Sequence, residues 1–367
     1  MLSSVKTLWH RAGPAGFFGW TLTCRCCDCR RLVGRGTSAG MMYRRSLLAV
    51  PLVALAPAAS AQQPVAKAES SFMPYIAGVK AEAQKAGIRL GTLEAAFRGI
   101  RVPNARVIEL DRKQPEFTLT WEQYRQKVIS DARIARGREH YGRHRALVDQ
   151  VCAHYRLHPA PLMGIWGLES NYGQFTGGFN VIESLVTLAW EGRRAAFFRG
   201  QLLNALRIID AGDIPAERML GSYAGAMGQP QFMPNSFVQM AVDWDGNGRR
   251  DLWNEVGDIL ASIANYLAKS GWVAPLGWGQ KLNLPAGFDA GLAGRDNRRT
   301  VSEWARLGVR ARGGVAGEAM AAVVLPDGAG GEAFLVYQPN FQAIRRYNPS
   351  DYYALAVGLI GDAVVGG

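Results

Sequence analysis

Beyond residue 29 the 367-residue chain contains one cysteine, Cys152. No disulfide can close within that stretch, so the fold must rest on its hydrophobic core even in an oxidising compartment. Long apolar runs are also missing, since none approaches the ~20 residues of a membrane span. No Gly-rich phosphate loop of the usual spacing occurs. His140/His144 and His154/His158 are spaced i, i+4 but lack the Glu of a zinc-protease helix, and they read as surface histidines. Residues 36–40 (GTSAG) match a nucleophile elbow only formally, with no strand before them. A large excess of one charge is missing as well, once the beginning of the chain is set aside. Removing eight basic residues and Asp28 with residues 1–61 takes the net charge from +12 to +5. That excess is too small to argue for nucleic acid, although it suits a weakly anionic polymer.

What is present begins with a leader. Tyr43, Arg44 and Arg45 precede an apolar run over 47–58 and an Ala59-Ser60-Ala61 site. Residues 42–61 therefore read as a secretory signal peptide, with Arg44-Arg45 leaving a twin-arginine route open beside the general one. Residues 1–41, with Cys24, Cys26, Cys27 and Cys29, read as an upstream extension from a start codon assigned too early. No cysteine follows the cleavage site to accept a lipid, so the expectation is an exported, periplasmic and soluble protein.

The rest is largely helical by pattern. Phe72, Ile76, Val79 and Ala83 fall at i, i+4, i+7 and i+11, predicting a helix over 71–87. Further helices are predicted over 92–97, from a Thr120/Gln123 capping box, and around 147–155, 198–209 and 259–267. Between 275 and 338 helical period disappears and two β-branched runs, 322–325 and 334–337, flank a Pro326-Asp327-Gly328 turn. The expected map is a helical domain over 62–274, a small β-rich insert over 275–338, and a segment 339–367 whose final apolar helix packs back on the first part.

Three segments carry candidate chemistry. In residues 161–173 Leu162, Ile165, Trp166 and Glu169 fall at i, i+3, i+4 and i+7, which puts one carboxylate on the apolar face at a helix end. Lost hydration there would raise its pKa and suit a general acid, while a surface Glu past the last turn is the plainer alternative. Residues 221–236 (GSYAGAMGQPQFMPNS) read either as a backbone that approaches a polar, ring-shaped ligand or as a tight connection between helices. In the loop 243–254, Asp243, Asp245, Asn247 and Asp251 with Gly248 match positions 1, 3, 5, 9 and 6 of an EF-hand-like calcium loop. Asn254 stands at position 12 in place of Glu, with Glu255 and Asp258 just beyond.

Together with residues 95–100 (AAFRGI), 110–117 (LDRKQPEF), 166–173 (WGLESNYG), 221–228 (GSYAGAMG), 231–234 (QFMP), 242–253, 264–266 (ANY) and 346–348 (RYN), these segments resemble the lytic murein transglycosylase B family in a soluble form. The resemblance implies a mainly α, lysozyme-like (α+β) catalytic domain and cleavage of peptidoglycan between N-acetylmuramic acid and N-acetylglucosamine, leaving 1,6-anhydro ends. It implies Glu169 as the sole acid/base, which accounts for the lack of a second carboxylate in its motif. It places Ser222, Gln231, Tyr266, Asn348 and Tyr353 along a saccharide groove and Arg193 and Arg194 on stem-peptide carboxylates. It puts a structural Ca2+ on Asp243, Asp245, Asn247, the Arg249 carbonyl and the Asn254 region, with no cofactor required for chemistry. Expected partners are glycan strands and proteins of cell-wall synthesis or division, with the enzyme acting as a monomer. A hydrolytic muramidase on the same fold and a non-catalytic peptidoglycan-binding scaffold are the alternatives.

Overall fold

The structure is a computed structural model that describes residues 63–113 and 119–366. The upstream stretch 1–41 and the signal sequence 42–61 lie outside the described residues. The predicted helices are found as Gln63–Lys85, Leu90–Ala96, Trp121–Val128, Arg145–Tyr155, Ala195–Ala211, Val256–Lys269 and Asp351–Val365. Thr120 and Gln123 form the reciprocal capping box, and Gly212 ends its helix in the left-handed region at φ 87°. No described helix is long and apolar enough to cross a membrane.

Other helices were not singled out from sequence. In Val181–Glu191 every residue from Val181 to Ala189 except Glu183 is buried, and Asp131–Arg143 buries only Gly137 and Tyr141. Gln338–Tyr347, starting at the end of a strand, was likewise not expected as a helix.

The strands are β1 (Phe179–Asn180), β2 (Leu220–Gly221), β3 (Gly279–Leu282), β4 (Arg299–Thr300), β5 (Met320–Val324) and β6 (Ala333–Tyr337). β1 pairs with β2, while β3 to β6 form an antiparallel sheet in the order β3-β6-β5-β4. This sheet is the expected insert, but it is not autonomous. Ala321, Val323, Ala333, Leu335 and Tyr337 pack with Trp304 in a local core, whereas Ala322, Val324, Phe334 and Val336 join the main core. Successive side chains on a strand point to opposite faces, so one sheet face closes the insert and the other seals it onto the helical body.

At the centre of that body the helix Pro159–Ser170 is buried from Ala160 to Ser170. It crosses the final helix, Asp351–Val365, at backbone contact. A Cβ at Gly164 would lie 2.0 Å from the Val357 carbonyl oxygen, and one at Gly361 would lie 2.0 Å from that of Ala160. Glycine at both positions lets the two helices meet, and this crossing positions the candidate site.

Candidate active site

Glu169 occupies the last turn of Pro159–Ser170, where the chain reverses through three left-handed residues, Asn171 (φ 52°), Tyr172 (φ 58°) and Gly173 (φ 85°). Two consecutive non-glycine residues in that region carry strain that the surroundings must hold. The Ser170 hydroxyl accepts the Gly173 N–H at 3.0 Å, and the Ser170 carbonyl accepts that of Phe175 at 2.9 Å. The reversal is tied beneath by Gln229, which accepts the Trp166 indole N–H at 2.7 Å and donates to the Trp253 carbonyl at 2.9 Å.

The Glu169 side chain is only 3% exposed. A carboxyl so buried requires polar partners, and the Tyr353 hydroxyl donates to its Oε1 at 2.7 Å. Tyr353 comes from the final helix, so the glycine crossing sets this contact. Burial, then the Glu169 charge, pushes the Tyr347 and Tyr353 phenols well above their ordinary range. Burial and the same charge raise Tyr124. Burial takes Tyr266 up to about 12, with the Arg346 cation opposing and the Glu169 charge assisting. The four phenols therefore stay neutral donors at any physiological pH. Among the described residues, Glu169 is the carboxylate whose charge raises Tyr124, Tyr266 and Tyr347.

Tyr353 and Tyr266, two of the residues expected along the groove, lie within electrical reach of Glu169. The Tyr266 hydroxyl donates to the Arg346 carbonyl at 2.7 Å. Tyr347, which donates to the Pro230 carbonyl at 2.6 Å and stacks on Tyr353 with ring centres 6.5 Å apart, was not singled out from sequence. Nor was Tyr124. An aromatic at helical spacing ordinarily reads as core, and only the fold brings these two beside a carboxylate.

Ser222 and Gln231 build the segment that lies next to the reversal. Ser222 Oγ accepts the Ala226 N–H at 3.0 Å, and Gln231 Nε2 donates to the carbonyls of Gly228 at 2.8 Å and Thr176 at 2.9 Å. Gly177 approaches so closely that its Cβ would lie 2.1 Å from the Gly221 carbonyl oxygen. The segment is a tight connection, and it is stitched to the loop that follows Glu169. Asn348 is buried and its Oδ1 accepts the Ser350 N–H at 3.2 Å, capping the entry to the helix that carries Tyr353.

Arg193 and Arg194 converge on one buried carboxylate, Asp111, whose two oxygens each take one guanidinium. Arg193 also donates to the Asp111 carbonyl at 2.7 Å. Their pairing with a structural acid from the 110–117 motif was not anticipated from sequence, and Arg193 remains half-exposed.

In the loop 243–254, carboxylate oxygens of Asp243, Asp245 and Asp258 lie within 4.8 Å of one another. Asp258 is buried and accepts the N–H groups of Trp244 at 2.8 Å and Asp251 at 2.7 Å. Its pKa is raised by burial, which those two N–H groups oppose and the neighbouring aspartates reinforce. Three hard oxygen donors gathered at that cost fit a divalent cation of the calcium type. Asn254, expected as the twelfth-position ligand, donates its amide to Asp251 at 3.0 Å. The helix beginning at Val256 brings the buried Asp258 carboxylate beside Asp243 and Asp245.

The family described as Transglycosylase SLT domain matches residues 71–362. The chain is 34% identical over 251 residues to membrane-bound lytic murein transglycosylase B of Escherichia coli K12, covering 66% of this chain and 67% of that protein. Its fold is similar to the crystal structure of SltB3 from Pseudomonas aeruginosa in complex with NAG-anhNAM-pentapeptide, with a TM-score of 0.77, 45% identity, and coverage of 81% of this chain and 80% of that one. It is also similar to the Escherichia coli lytic transglycosylase Slt35 in complex with calcium, with a TM-score of 0.67, 30% identity, and coverage of 79% and 92%.

Proposed function

The chain belongs to the transglycosylase SLT domain family and is a lysozyme-like lytic transglycosylase that needs no cofactor for its chemistry, and from that premise we propose that Glu169 performs both proton transfers. Protonated Glu169 gives its proton to the glycosidic oxygen between N-acetylmuramic acid and N-acetylglucosamine as the C1–O bond breaks. The substrate's own N-acetyl oxygen closes on C1 and stands in for the second carboxylate that most glycosidases use. The Glu169 carboxylate then takes the proton of the muramic acid 6-hydroxyl, and O6 displaces the acetyl oxygen from C1. The proton count closes, no water is consumed, and the product end is a 1,6-anhydro sugar.

The observation that carries this reading is the setting of Glu169, a buried carboxyl at a helix end that accepts the Tyr353 hydroxyl at 2.7 Å. Tyr353 fixes the carboxyl for both transfers, as an orienting hydrogen bond does in general acid catalysis. Ser222, Gln231, Tyr266 and Asn348 form the walls of the saccharide groove, and Arg193 with Arg194, held by Asp111, meets acidic groups of the stem peptide. Asp243, Asp245 and Asp258, with Asn247 and the Arg249 carbonyl, would hold a calcium ion that braces the loop and takes no part in bond cleavage.

The signal-like residues 42–61 support a periplasmic enzyme that works as a monomer on glycan strands, beside proteins of cell-wall synthesis or division. Digestion of peptidoglycan in water enriched in oxygen-18 tests the reaction. Transglycosylation leaves the label out of the new muramic acid ends, whereas label at C1 would assign a muramidase. Binding to sacculi without cleavage would assign a scaffold.

A further inference from the structure

The β5–β6 hairpin of the insert grips a helix far away in sequence. Asp327, in the turn, accepts the backbone N–H groups of Trp121 at 2.7 Å and Glu122 at 3.1 Å, across 206 and 205 residues. Glu332, entering β6, accepts the Trp121 indole N–H at 2.7 Å and is itself paired with Lys281. Trp121 and Glu122 open the helix Trp121–Val128, whose first N–H groups have no partner within the helix. Thr120 satisfies that of Gln123, and Asp327 satisfies the two before it. An acid at this end is also favoured by the helix dipole. A helix of eight residues has little stability of its own, so whatever holds its start decides where it lies.

One turn further on is Tyr124. Its ring stacks on Trp121 at 6.2 Å and leans on Tyr352 at 5.8 Å, while Trp121 meets Phe334 of β6 edge-on at 5.8 Å. Tyr352 directly precedes Tyr353, and its hydroxyl donates to the Pro326 carbonyl of the same hairpin turn at 3.1 Å. The hairpin therefore holds two of the chain segments that bring phenols towards Glu169.

We infer that Asp327, assisted by Glu332, is a positioning residue for the reaction: by fixing the start of Trp121–Val128 it holds Tyr124 against Tyr352, the neighbour of the Tyr353 that donates to Glu169, so the β insert shapes the active site. This inference rests on the reading of Glu169 given above.

A double-mutant cycle on the full chain tests it, with kcat and KM for muropeptide release and the melting temperature measured for Asp327→Ala, Tyr124→Ala and the double variant. Asp327→Ala is expected to lower kcat about tenfold, within the range that a displacement of ~1 Å produces. In the Tyr124→Ala background the same change should cost nothing further, because residues acting through one contact are not additive. Asp327→Asn, which keeps an acceptor oxygen, should recover part of the loss. Thr300→Ala, removing a helix cap elsewhere in the insert, is the control for destabilisation and should leave kcat unchanged. Equal losses in both backgrounds, or a lower melting temperature with kcat intact, would overturn the inference. If Asp327→Ala does not fold, the cycle runs with Asp327→Asn, whose loss should likewise vanish without Tyr124. A Glu169→Gln variant that kept wild-type activity would remove the catalytic reading and leave the coupling measurable, so the two failures are distinguishable.

Discussion

Adding a single methyl group at Gly164 should disable the enzyme from within its core. The new Cβ would lie 2.0 Å from the Val357 carbonyl oxygen and 3.2 Å from a Val357 methyl carbon. Non-bonded heavy atoms prefer separations above ~3 Å, so the final helix must retreat by roughly 1 Å. Overpacking of this kind costs about 3 kcal/mol, and at roughly 2–4 °C per kcal/mol for a domain of this size the melting temperature should fall by about 6–12 °C. Val357 lies one turn from Tyr353 on the same helix face, so the retreat also carries the phenol away from Glu169. A bond of 2.7 Å stretched by ~1 Å is no longer a hydrogen bond. Misplacement on this scale near reacting groups lowers kcat by about 10²-fold. Gly200→Ala is the matched comparison, because Gly200 is exposed within a helix and nothing lies within 4 Å of its Cβ position. There the change should stabilise by about 0.5–1 kcal/mol. Thermal unfolding and the initial rate of muropeptide release, measured on both variants, separate the two cases. A Gly164→Ala protein that melts and works like the wild type would refute the backbone contact, and with it the origin of the Glu169–Tyr353 geometry.

Tyr353→Phe should keep the fold and lower kcat by about 10- to 100-fold, since a hydrogen bond to a charged group contributes roughly 1.5–3 kcal/mol; a steady-state comparison with unchanged KM checks it. Calcium should raise the melting temperature and chelation should lower it, by about 2.7 kcal/mol of stability at a hundredfold excess over Kd. Asp258→Asn should abolish that dependence and Asn254→Ala should preserve it, which reverses the order expected from an EF-hand pattern. Burial pushes the Cys152 thiol up to about 12. An unfolded thiol ionises near pH 9, so between about pH 9 and 12 the unfolded chain releases a proton that the folded one keeps, and stability falls as pH rises through that window. Replacing Cys152 with Ala should flatten this part of the stability profile, as denaturant midpoints across pH would reveal.

Where one face of a helix is apolar and the other is not, the sequence could be read directly, as in Ala195–Ala211, or in Trp121–Val128 with its Thr120/Gln123 signature. Val181–Glu191 was not singled out, although Val181, Ile182, Leu185, Val186, Leu188 and Ala189 recur at helical spacing; the buried Ser184 and Thr187 between them dilute the contrast. Glu169 was legible because its seven-residue span with Leu162, Ile165 and Trp166 put a carboxylate where apolar groups belong. Tyr124 and Tyr347 were not, because their meeting with Glu169 depends on a helix crossing and a hairpin clasp between distant segments. In the proposed cation loop, Asp243 and Asp245 were legible from their spacing. That the Asp258 carboxylate gathers beside them depends on a helix start that linear spacing does not register.

The most direct test of the proposed catalyst is mass spectrometry of purified peptidoglycan digested by the wild-type chain and by Glu169→Gln, which keeps the shape of the side chain but cannot donate or accept the proton. Anhydro-muropeptides should accumulate with the wild type and be lost, by several orders of magnitude, with the variant, while both proteins keep the same melting temperature and the same binding to sacculi. Anhydro ends released at an undiminished rate by Glu169→Gln would contradict the assignment and send the search for the acid elsewhere in the groove.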